Sequence, residues 1–304
     1  MRQTADMTDD PLWPRARNWF TTDQLPGSDI TLLGVPASRT SLSPTHAHLT
    51  PHAIREALAR YSTYSWTHDA DLRDLTAVDA GDVHEPDGPE GERRVVDRVA
   101  ELGAATSLLI ALGGDNSITY SVARGMWGEA ISSAGLVTLD AHHDLRDGAS
   151  NGSPVRRLIE AGLPGRNVVQ IGIADFSNSR EYAARARELG ITVITRDELR
   201  RRSPQDVMAT ALSVATQGGG PVHVDLDVDV CDRAEVPGCP ASAPGGISAD
   251  ELRQFAYYAA RSPKVRSIDI TEIDASADSP DSRTVRLGAL LVLESALGRL
   301  TRQA

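Results

Sequence analysis

Two short clusters of acidic residues follow apolar runs in this chain of 304 residues. The first, Asp140–Asp144, reads Asp-Ala-His-His-Asp and follows the apolar run Gly135–Leu139. The second, Asp225–Asp229, reads Asp-Leu-Asp-Val-Asp and follows Pro221–Val224. Carboxylates at the end of a buried strand repel one another and lose hydration, so their charged forms are costly there unless a cation binds them. The two clusters therefore predict a metal-centred active site.

The first cluster offers a mixed set of oxygen and nitrogen ligands. Side chains two residues apart share a face of an extended backbone, so Asp140, His142 and Asp144 are expected to converge on one point. His143 then faces away, and we expect it to have a structural role. Two carboxylates and an imidazole suit Mn²⁺ better than a metal that prefers thiolates. The competing interpretation is a solvated turn that carries a helix cap.

The second cluster contains three alternating carboxylates, Asp225, Asp227 and Asp229. One of them is surplus if two ions are bridged by shared ligands. Two divalent ions about 3.5–4 Å apart hold a bridging hydroxide and lower the pKa of the water from which it forms. An exposed acidic strand end or a Ca²⁺ loop is the alternative, although the glycine and the terminal glutamate of an EF-hand loop are absent from this cluster.

Two further motifs also follow apolar runs. Gly113–Ser117 reads Gly-Gly-Asp-Asn-Ser, and its glycines permit a tight turn between a strand and a helix. A plain turn with a helix cap at Asp115 or Asn116 explains this motif equally well. Asp269–Asp274 places an acid where it can pair with a cationic group of a substrate. A surface strand end is the alternative interpretation of this last motif.

The elements that must position these motifs alternate along the chain. The apolar runs that predict strands are Ile30–Val35, Leu75–Asp79, Ser107–Leu112, Leu136–Leu139, Val168–Ile173, Ile191–Ile194, Val222–Leu226 and Val265–Ile270. The patterns that predict helices are Pro51–Tyr61, Glu92–Leu102, Ser117–Trp127, Pro154–Ala161, Arg180–Leu189, Pro204–Ala215, Ala249–Ala260 and Arg283–Leu300. Thr50 and Ser203 are expected to be helix N-caps, because a proline follows each of them. The alternation predicts an α/β fold whose parallel sheet is covered on both faces and binds ligands at the carboxyl ends of its strands.

Composition limits the classes of function. The chain has a net charge of −11, which argues against a nucleic-acid or anionic-membrane partner. It has no apolar run of membrane length and no signal-peptide pattern, and its two cysteines, Cys231 and Cys239, lack the spacing of a zinc site. We therefore expect a cytoplasmic protein. Residues 1–26 are interpreted as an N-terminal extension, and residues 27–304 as a single domain.

The four motifs, in this order, resemble those of the ureohydrolase family, which includes arginases, agmatinases and formimidoylglutamases. The resemblance extends from about Gly34 to Leu297. The family pattern D-x-D-x-x-D sets the register of the second cluster and leaves Asp225 as the surplus acid, at a position where a serine is usual. The residues that match family motifs are Asp140, His142, Asp144, Asp227, Asp229, Asp232 and Glu272.

The resemblance implies a three-layer α/β/α fold with a mostly parallel sheet of about eight strands. It also implies a homo-oligomer, trimeric or hexameric, with two Mn²⁺ per subunit and hydrolysis of a C–N bond at an amidine or guanidine carbon by metal-bound hydroxide. Glu272 would hold the amidinium, and Asp229 or a bound water would pass a proton to the leaving amine. The implied metal ligands are Asp140, His142, Asp144, Asp227 and Asp229.

Two positions depart from the family pattern. A metal-binding histidine is replaced by Asn116, and a later histidine, often assigned to proton shuttling, is replaced by Asn151. An amide oxygen is a weaker ligand than imidazole, and an amide does not act as an acid or base near neutral pH. The metal site near Asn116 is therefore expected to bind its ion weakly.

The same departures favour one subgroup, the bacterial formimidoylglutamases. The segments that carry this similarity are Asn116, Asp140–Arg146, Asn151–Arg157, Asp175–Ser179 and Pro237–Pro240. Enzymes of this subgroup cleave N-formimidoyl-L-glutamate to L-glutamate and formamide in histidine degradation. The implied substrate is therefore a small anionic amidine, and Asn151 and Ser153 join its predicted binding residues.

Arginines near the first cluster agree with an anionic substrate. An arginine binds a carboxylate through two parallel hydrogen bonds, so Arg146 together with Arg156 or Arg157 is expected to clamp the two carboxylates of the substrate, with Arg157 the preferred partner. Solvated helix charges are the alternative for Arg156 and Arg157. Two other functions remain open, namely hydrolysis of another anionic guanidino or amidino acid, and a metal-poor, non-catalytic ureohydrolase-like subunit.

Overall fold

A computed structural model describes residues 10–23 and 27–302. Its centre is a parallel sheet of eight strands in the order β4-β1-β5-β10-β9-β6-β7-β8. The strands of this sheet are β1 (Ser28–Val35), β4 (Ala77–Asp82), β5 (Thr106–Gly113), β6 (Gly135–Leu139), β7 (Val168–Ile173), β8 (Thr192–Thr195), β9 (Val222–Asp227) and β10 (Val265–Thr271). All eight predicted strands are present, so the predicted α/β fold is confirmed.

Helices cover both faces of the sheet. One layer contains α1, α7, α8 and α9, and the other contains α2, α3, α4 and α5. The helices are α1 (Thr50–Leu58), α2 (Gly88–Ala105), α3 (Ile118–Trp127), α4 (Pro154–Glu160), α5 (Arg180–Glu188), α6 (Arg196–Leu199), α7 (Pro204–Ala215), α8 (Ala249–Ala260) and α9 (Arg283–Leu300). The three-layer arrangement follows because the strands are apolar on both faces of the sheet, so each face must be covered by helices.

Local signals account for most helix starts. The Ser203 hydroxyl accepts the backbone N–H of Asp206, which confirms its predicted role as a cap. The prediction for Thr50 is wrong, because a 3-10 turn leads into α1 and makes Thr50 its first residue. The hydroxyl of Thr50 instead donates to the carbonyl of Ile273, so it links α1 to the segment that follows β10.

Two small features are absent from the predicted elements. A hairpin of two-residue strands, β2 (Tyr64–Ser65) and β3 (Ala70–Asp71), follows α1, and the four-residue helix α6 follows β8. Elements this short have too few residues to show a hydrophobic period. Among the described residues, no helix is long and apolar enough to span a membrane.

The N-terminal segment of residues 10–23 packs along the body of the protein. Ala16 is fully buried, and the indole of Trp19 donates to the carbonyl of Leu75 at 3.1 Å. The predicted boundary between extension and domain lies at residues 24–26, outside the described residues, so this division of the chain stays a prediction.

The order of the central strands decides where the acidic motifs meet. Four neighbouring strands, β5, β10, β9 and β6, each end at one of the four motifs found in the sequence. Because all four run parallel, their carboxyl ends lie at one edge of the sheet. The register pairs Leu112 with Ile270 and Leu139 with Leu226, so the motifs that follow are level with one another.

Candidate metal centre and substrate cleft

A cleft of about 350 Å³ opens at the carboxyl ends of the four neighbouring strands β5, β10, β9 and β6. Its floor carries the acidic residues, and its rim is formed by the loop after β1, the segment after β6 and the start of α5. The residues that line it include Leu42, Ser43, Asn116, His142, Asp144, Arg146, Asn151, Ser177, Asn178, Tyr182, Asp227, Asp229 and Glu272. Among the described residues that line it, the cleft is therefore acidic at its base and has one arginine, Arg146, near its mouth.

Three of the predicted ligands form a compact set. Asp140, His142 and Asp229 each place one ligand atom so that all three atoms lie within 4.8 Å of one another. His142 Nδ1 lies 2.7 Å from Asp229 Oδ2 and 3.3 Å from Asp140 Oδ1. The two carboxylates are buried, whereas the imidazole is partly exposed to the cleft.

The backbone does not hold these ligands in the extended conformation that their spacing predicts. Asp140 Oδ1 accepts the N–H of His142 at 2.6 Å, and Asp227 Oδ1 accepts the N–H of Asp229 at 2.8 Å. An aspartate that bonds the N–H two residues later forms a tight turn. Asp144 has a positive φ of 52°, so the first cluster turns again before it ends. The prediction of one shared strand face is therefore wrong for the first cluster; in the second it holds for Asp225 and Asp227, which lie in β9, and fails for Asp229, which lies in the 3-10 turn after it.

Burial and mutual repulsion perturb the carboxylates. Burial, together with the charge of Asp229, raises the pKa of Asp140 to about 6. Burial and neighbouring carboxylates raise the pKa values of Asp144 and Asp227 well above the usual range. Burial also acts to raise the pKa of Asp229, but the adjacent imidazole of His142 outweighs it and lowers that pKa. Burial alone would lower the pKa of His142, and the carboxylates raise it to about 12.

This donor set fits a hard or borderline divalent cation. The carboxylates Asp140, Asp144, Asp227 and Asp229 face one imidazole, which leaves an excess of buried negative charge. Such a charge excess is costly in a protein interior unless a bound cation offsets it. Oxygen ligands with one imidazole are the set expected for Mn²⁺, whereas no thiolate contributes to the three-atom set centred on His142.

Asn116 is used as a hydrogen-bond donor. Its amide nitrogen donates to Asp144 Oδ2 at 2.6 Å, and its amide oxygen accepts from the hydroxyls of Thr119 and Thr271 at 2.7 and 3.3 Å. The amide oxygen, which is the atom able to bind a metal, is directed toward these two hydroxyls. This geometry does not support the predicted ligand role of Asn116 and indicates that the residue partly neutralises Asp144.

Glu272 lies beyond the end of β10, with a positive φ of 65°. Its Oε1 accepts the backbone N–H of Asn116 at 2.8 Å and the amide of Asn151 at 2.9 Å. Burial, with the nearby charge of Asp115, raises the pKa of Glu272 to about 7. The carboxyl group therefore lies at the base of the cleft, where a cationic amidinium partner would stabilise its ionised form.

Arg146 and Arg157 lie in different environments. Arg146 lines the cleft and is exposed, and within residues 10–23 and 27–302 no side chain pairs with its guanidinium. Arg157 makes two hydrogen bonds to Glu92, at 2.7 and 2.8 Å, and its guanidinium lies 3.8 Å from the ring centre of Tyr120. Glu92 binds both terminal nitrogens of the Arg157 guanidinium, and Arg157 is not among the residues that line the cleft. The predicted contact of Arg157 with substrate is therefore not supported.

The side chains of Arg156 and Ser153 also form hydrogen bonds within the protein. Arg156 donates to the carbonyls of Arg146 and Gly148 and pairs with Glu160 at 2.5 Å. The Ser153 hydroxyl donates to the carbonyl of Ser150 at 2.8 Å and is fully buried. Ser153 therefore stabilises the turn before α4, and its predicted contact with substrate is not supported. Of the predicted substrate-binding residues, Arg146, Asn151 and Glu272 line the cleft.

Several residues support the candidate ligands through contacts that the sequence did not predict. His143 bonds Gln170 at 2.7 Å, in agreement with its expected structural role. Asn178 accepts the N–H of His143 and donates to the carbonyl of Ala141, so it holds the segment that carries the candidate ligands Asp140 and His142 against the start of α5. Arg196 donates to the carbonyl of Asp229 at 2.8 Å. Each is far in sequence from the residue that it supports, and only the fold brings them together.

Three buried polar side chains, His223, Asp225 and Asp269, lie beneath the candidate metal centre, between the sheet and α3. Asp225 and Asp269 are paired across β9 and β10, and His223 Nε2 lies 3.1 Å from Asp269 Oδ2. All three side chains are almost fully buried. Burial and the charge of Asp269 raise the pKa of Asp225 well above its usual range. This geometry agrees with the interpretation of Asp225 as an acid outside the ligand set.

Comparisons with known proteins show which family and which fold this chain resembles. The family model described as Arginase family matches residues 28–298. The formimidoylglutamase of Halalkalibacterium halodurans is 35% identical over 277 residues, which cover 88% of this chain and 86% of that protein. The formimidoylglutamase of Bacillus subtilis is 33% identical over 284 residues, covering 90% and 88%. The crystal structure of formimidoylglutamase from Bacillus subtilis superimposes with a TM-score of 0.92 at 30% identity, covering 100% of this chain and 97% of that one.

Proposed function

The chain belongs to the arginase family and is a hydrolase of C–N bonds in linear amidines, and we propose that its substrate is N-formimidoyl-L-glutamate. The products would be L-glutamate and formamide. The relatives named formimidoylglutamase support this choice. Within the structure, the observation that carries it is Arg146, a cation with no partner among the described residues, in a cleft whose floor is acidic.

Opposite charges at the two ends of the cleft match the opposite charges of this substrate. Formimidoylglutamate carries a cationic amidinium at one end and carboxylates at the other. Glu272 would bind the amidinium through its second oxygen, and Arg146 would bind a carboxylate of the glutamate portion. Agmatine has no carboxylate, so it would leave Arg146 unpaired.

We propose that two Mn²⁺ ions bind at the floor of the cleft, one of them weakly. The residues that would hold them are Asp140, His142, Asp144, Asp227 and Asp229. When bound, such ions polarise the substrate and lower the pKa of water. The amide of Asn116, which bonds Asp144, supplies no ligand atom in the observed orientation, and this supports unequal affinities.

The side chains of the chain itself would then orient the substrate and move a proton. Two hydrogen bonds to Oε1 hold the carboxylate of Glu272 in one orientation. Its other oxygen, Oε2, would then bind the amidinium and place the amidinium carbon beside the other acidic residues of the floor. Asp229 is the proposed proton carrier: its buried carboxylate at the floor of the cleft would accept a proton from the attacking water and pass it to the leaving glutamate nitrogen. The amide of Asn151 cannot perform this step.

Turnover measurements test the proposal. We expect purified protein with Mn²⁺ to release formamide from formimidoylglutamate and to leave agmatine and arginine essentially unchanged. Release of urea from an anionic guanidino acid in preference to formimidoylglutamate would contradict the substrate and keep the family. Absence of turnover, together with absence of bound Mn²⁺, would favour a non-catalytic subunit. A cytoplasmic location and a trimer or hexamer stay predictions.

A further inference from the structure

We propose that Asn151 is a positioning residue for Glu272 and for the rim loop 40–42, rather than a ligand of the substrate or a carrier of protons. The inference deepens the proposed function and rests on it, since it takes Glu272 as the group that binds the amidinium. It reassigns a position at which the sequence alone suggested substrate binding.

Asn151 holds one oxygen of the Glu272 carboxylate. Its Nδ2 donates to Oε1 at 2.9 Å, and the backbone N–H of Asn116 donates to the same oxygen at 2.8 Å. Two donors on Oε1 fix the plane of the carboxylate and direct its other oxygen, Oε2, away from them. Within the described chain, no hydrogen bond involves Oε2, so this oxygen is available to a ligand in the cleft.

The same amide holds the rim of the cleft. Asn151 Oδ1 accepts the backbone N–H of Leu42 at 3.0 Å, and the backbone N–H of Asn151 donates to the carbonyl of Thr40 at 3.4 Å. A weaker contact of 3.5 Å joins Nδ2 to the hydroxyl of Ser41. Leu42 lines the cleft and is 56% exposed, so its position depends on backbone contacts rather than on packing.

The chemistry of the side chain explains this use. A primary amide offers a donor and an acceptor on one rigid group, and here the donor serves Glu272 while the acceptor serves Leu42. Aspartate has the same shape but offers only acceptors, so it would keep the bond to Leu42 and place a like charge beside Glu272. Asn151 therefore couples the carboxylate that binds the amidinium to the loop that borders it.

Steady-state kinetics of Asn151→Asp provide the first test. We expect KM for formimidoylglutamate to rise at least about tenfold, since Glu272 loses a hydrogen bond to its charged group and gains a like charge beside it. We expect kcat to change much less. Ser41→Ala, which removes only the long contact to the same amide, is the matched control and should keep the wild-type KM. The increase in melting temperature on addition of Mn²⁺ should be the same in all three proteins.

A double variant separates positioning from an independent role. If Asn151 acts through Glu272, Asn151→Asp should add little to the loss of kcat/KM already caused by Glu272→Gln. Multiplication of the two losses would overturn the inference, as would a wild-type KM in Asn151→Asp. Asn151→His would restore a titratable ring at this position, and an increase in kcat would show that the position serves proton transfer instead.

Amide hydrogen exchange provides a readout that needs no substrate. Asn151→Ala should accelerate exchange at the N–H of Leu42, because that amide loses its only acceptor among the described residues. Unchanged exchange would refute the proposed support of the rim. If the wild-type protein fails to hydrolyse formimidoylglutamate, the proposed function fails, whereas normal wild-type turnover with unaffected Asn151 variants would refute only the positioning role.

Discussion

Arg146 and Arg157 show that the neighbours of an arginine determine whether its guanidinium is available to bind substrate. Both are arginines near the first acidic cluster, but Glu92 and Tyr120 hold Arg157 away from the cleft, whereas Arg146 has no partner within the described chain. The half-buried carboxylate of Glu92 takes two donors of Arg157 and holds its guanidinium against Tyr120, outside the cleft. Arg146 is therefore the residue expected to recognise the anionic end.

Substitution of each arginine by methionine tests whether Arg146 binds substrate and Arg157 does not. Arg146→Met should raise KM for formimidoylglutamate by about 10- to 100-fold, the effect of losing a charge-assisted hydrogen bond of about 1.5–3 kcal/mol. Arg157→Met should lower the melting temperature, because it leaves Glu92 without its partner, and should keep KM near the wild-type value. The opposite pattern in KM would show that Arg157 reaches the substrate.

Gly152 provides the space in which Arg146 lies. A Cβ atom at this position would lie 2.8 Å from Arg146 Cδ and 3.2 Å from Nε. Gly152→Ala should therefore displace the guanidinium and raise KM several-fold with little loss of stability, since the arginine side chain is flexible and can move. Ala149→Ser, at an exposed position of the same segment, tests whether any change there has the same effect, and a similar rise in KM in both variants would argue against the steric explanation.

At the scale of elements, a four-residue helix supports the metal centre. Helix α6 begins with a capping box in which Thr195 and Glu198 bond each other's backbone N–H groups. The helix presents Arg196, whose guanidinium donates to the carbonyls of Gly172 and Asp229 at 3.2 and 2.8 Å. It thereby joins the end of β7 to the turn that carries Asp229.

Replacement of Arg196 should weaken that turn. We expect Arg196→Gln to lower the affinity for Mn²⁺ about 10- to 100-fold, the range typical when support of a metal ligand is lost. Isothermal titration of metal-free protein provides the measurement. Arg201→Gln is a suitable control, since Arg201 is exposed and pairs only with Asp197 on the same helix segment. Equal affinities in the two variants would rule out a role for Arg196 in placing Asp229.

At the scale of the whole molecule, the acidic floor should make stability depend on pH and metal. The pKa of Asp140 is raised from 3.8 to about 6, and that of Glu272 from 4.5 to about 7. The folded protein therefore binds protons that the unfolded chain has already released between about pH 4 and pH 7. Stability that is present at the lower end of this window is lost as the pH rises through it.

Calorimetry at several pH values tests this expectation. The melting temperature of metal-free protein should fall between pH 5 and pH 7.5, and saturation with Mn²⁺ should remove most of the fall, because bound cations favour the ionised carboxylates. Affinity for Mn²⁺ should correspondingly rise with pH, since binding releases protons. A melting temperature that is independent of metal across this range would contradict the assignment of the floor as a metal site.

The sequence by itself determined the elements and the kind of chemistry. Strand and helix periodicity predicted all eight strands of the central sheet and eight of the nine helices of the described residues, because hydrophobic patterns and caps are local properties. The motifs around Asp140, Asp227 and Glu272 predicted a cation-binding acidic site by their composition alone. The family resemblance that these motifs carry was then confirmed by the comparisons.

Only the tertiary structure decided how the motifs meet and which residues support them. The strand order places β10 between β5 and β9, so Glu272 lies beside Asn116, which is 156 positions earlier in the chain. Such neighbours explain why Asn116 acts as a donor, why Arg157 pairs with Glu92 and why Asn151 makes its two contacts. The direction of a polar side chain is decided by its partners, and the partners of these residues are distant in sequence.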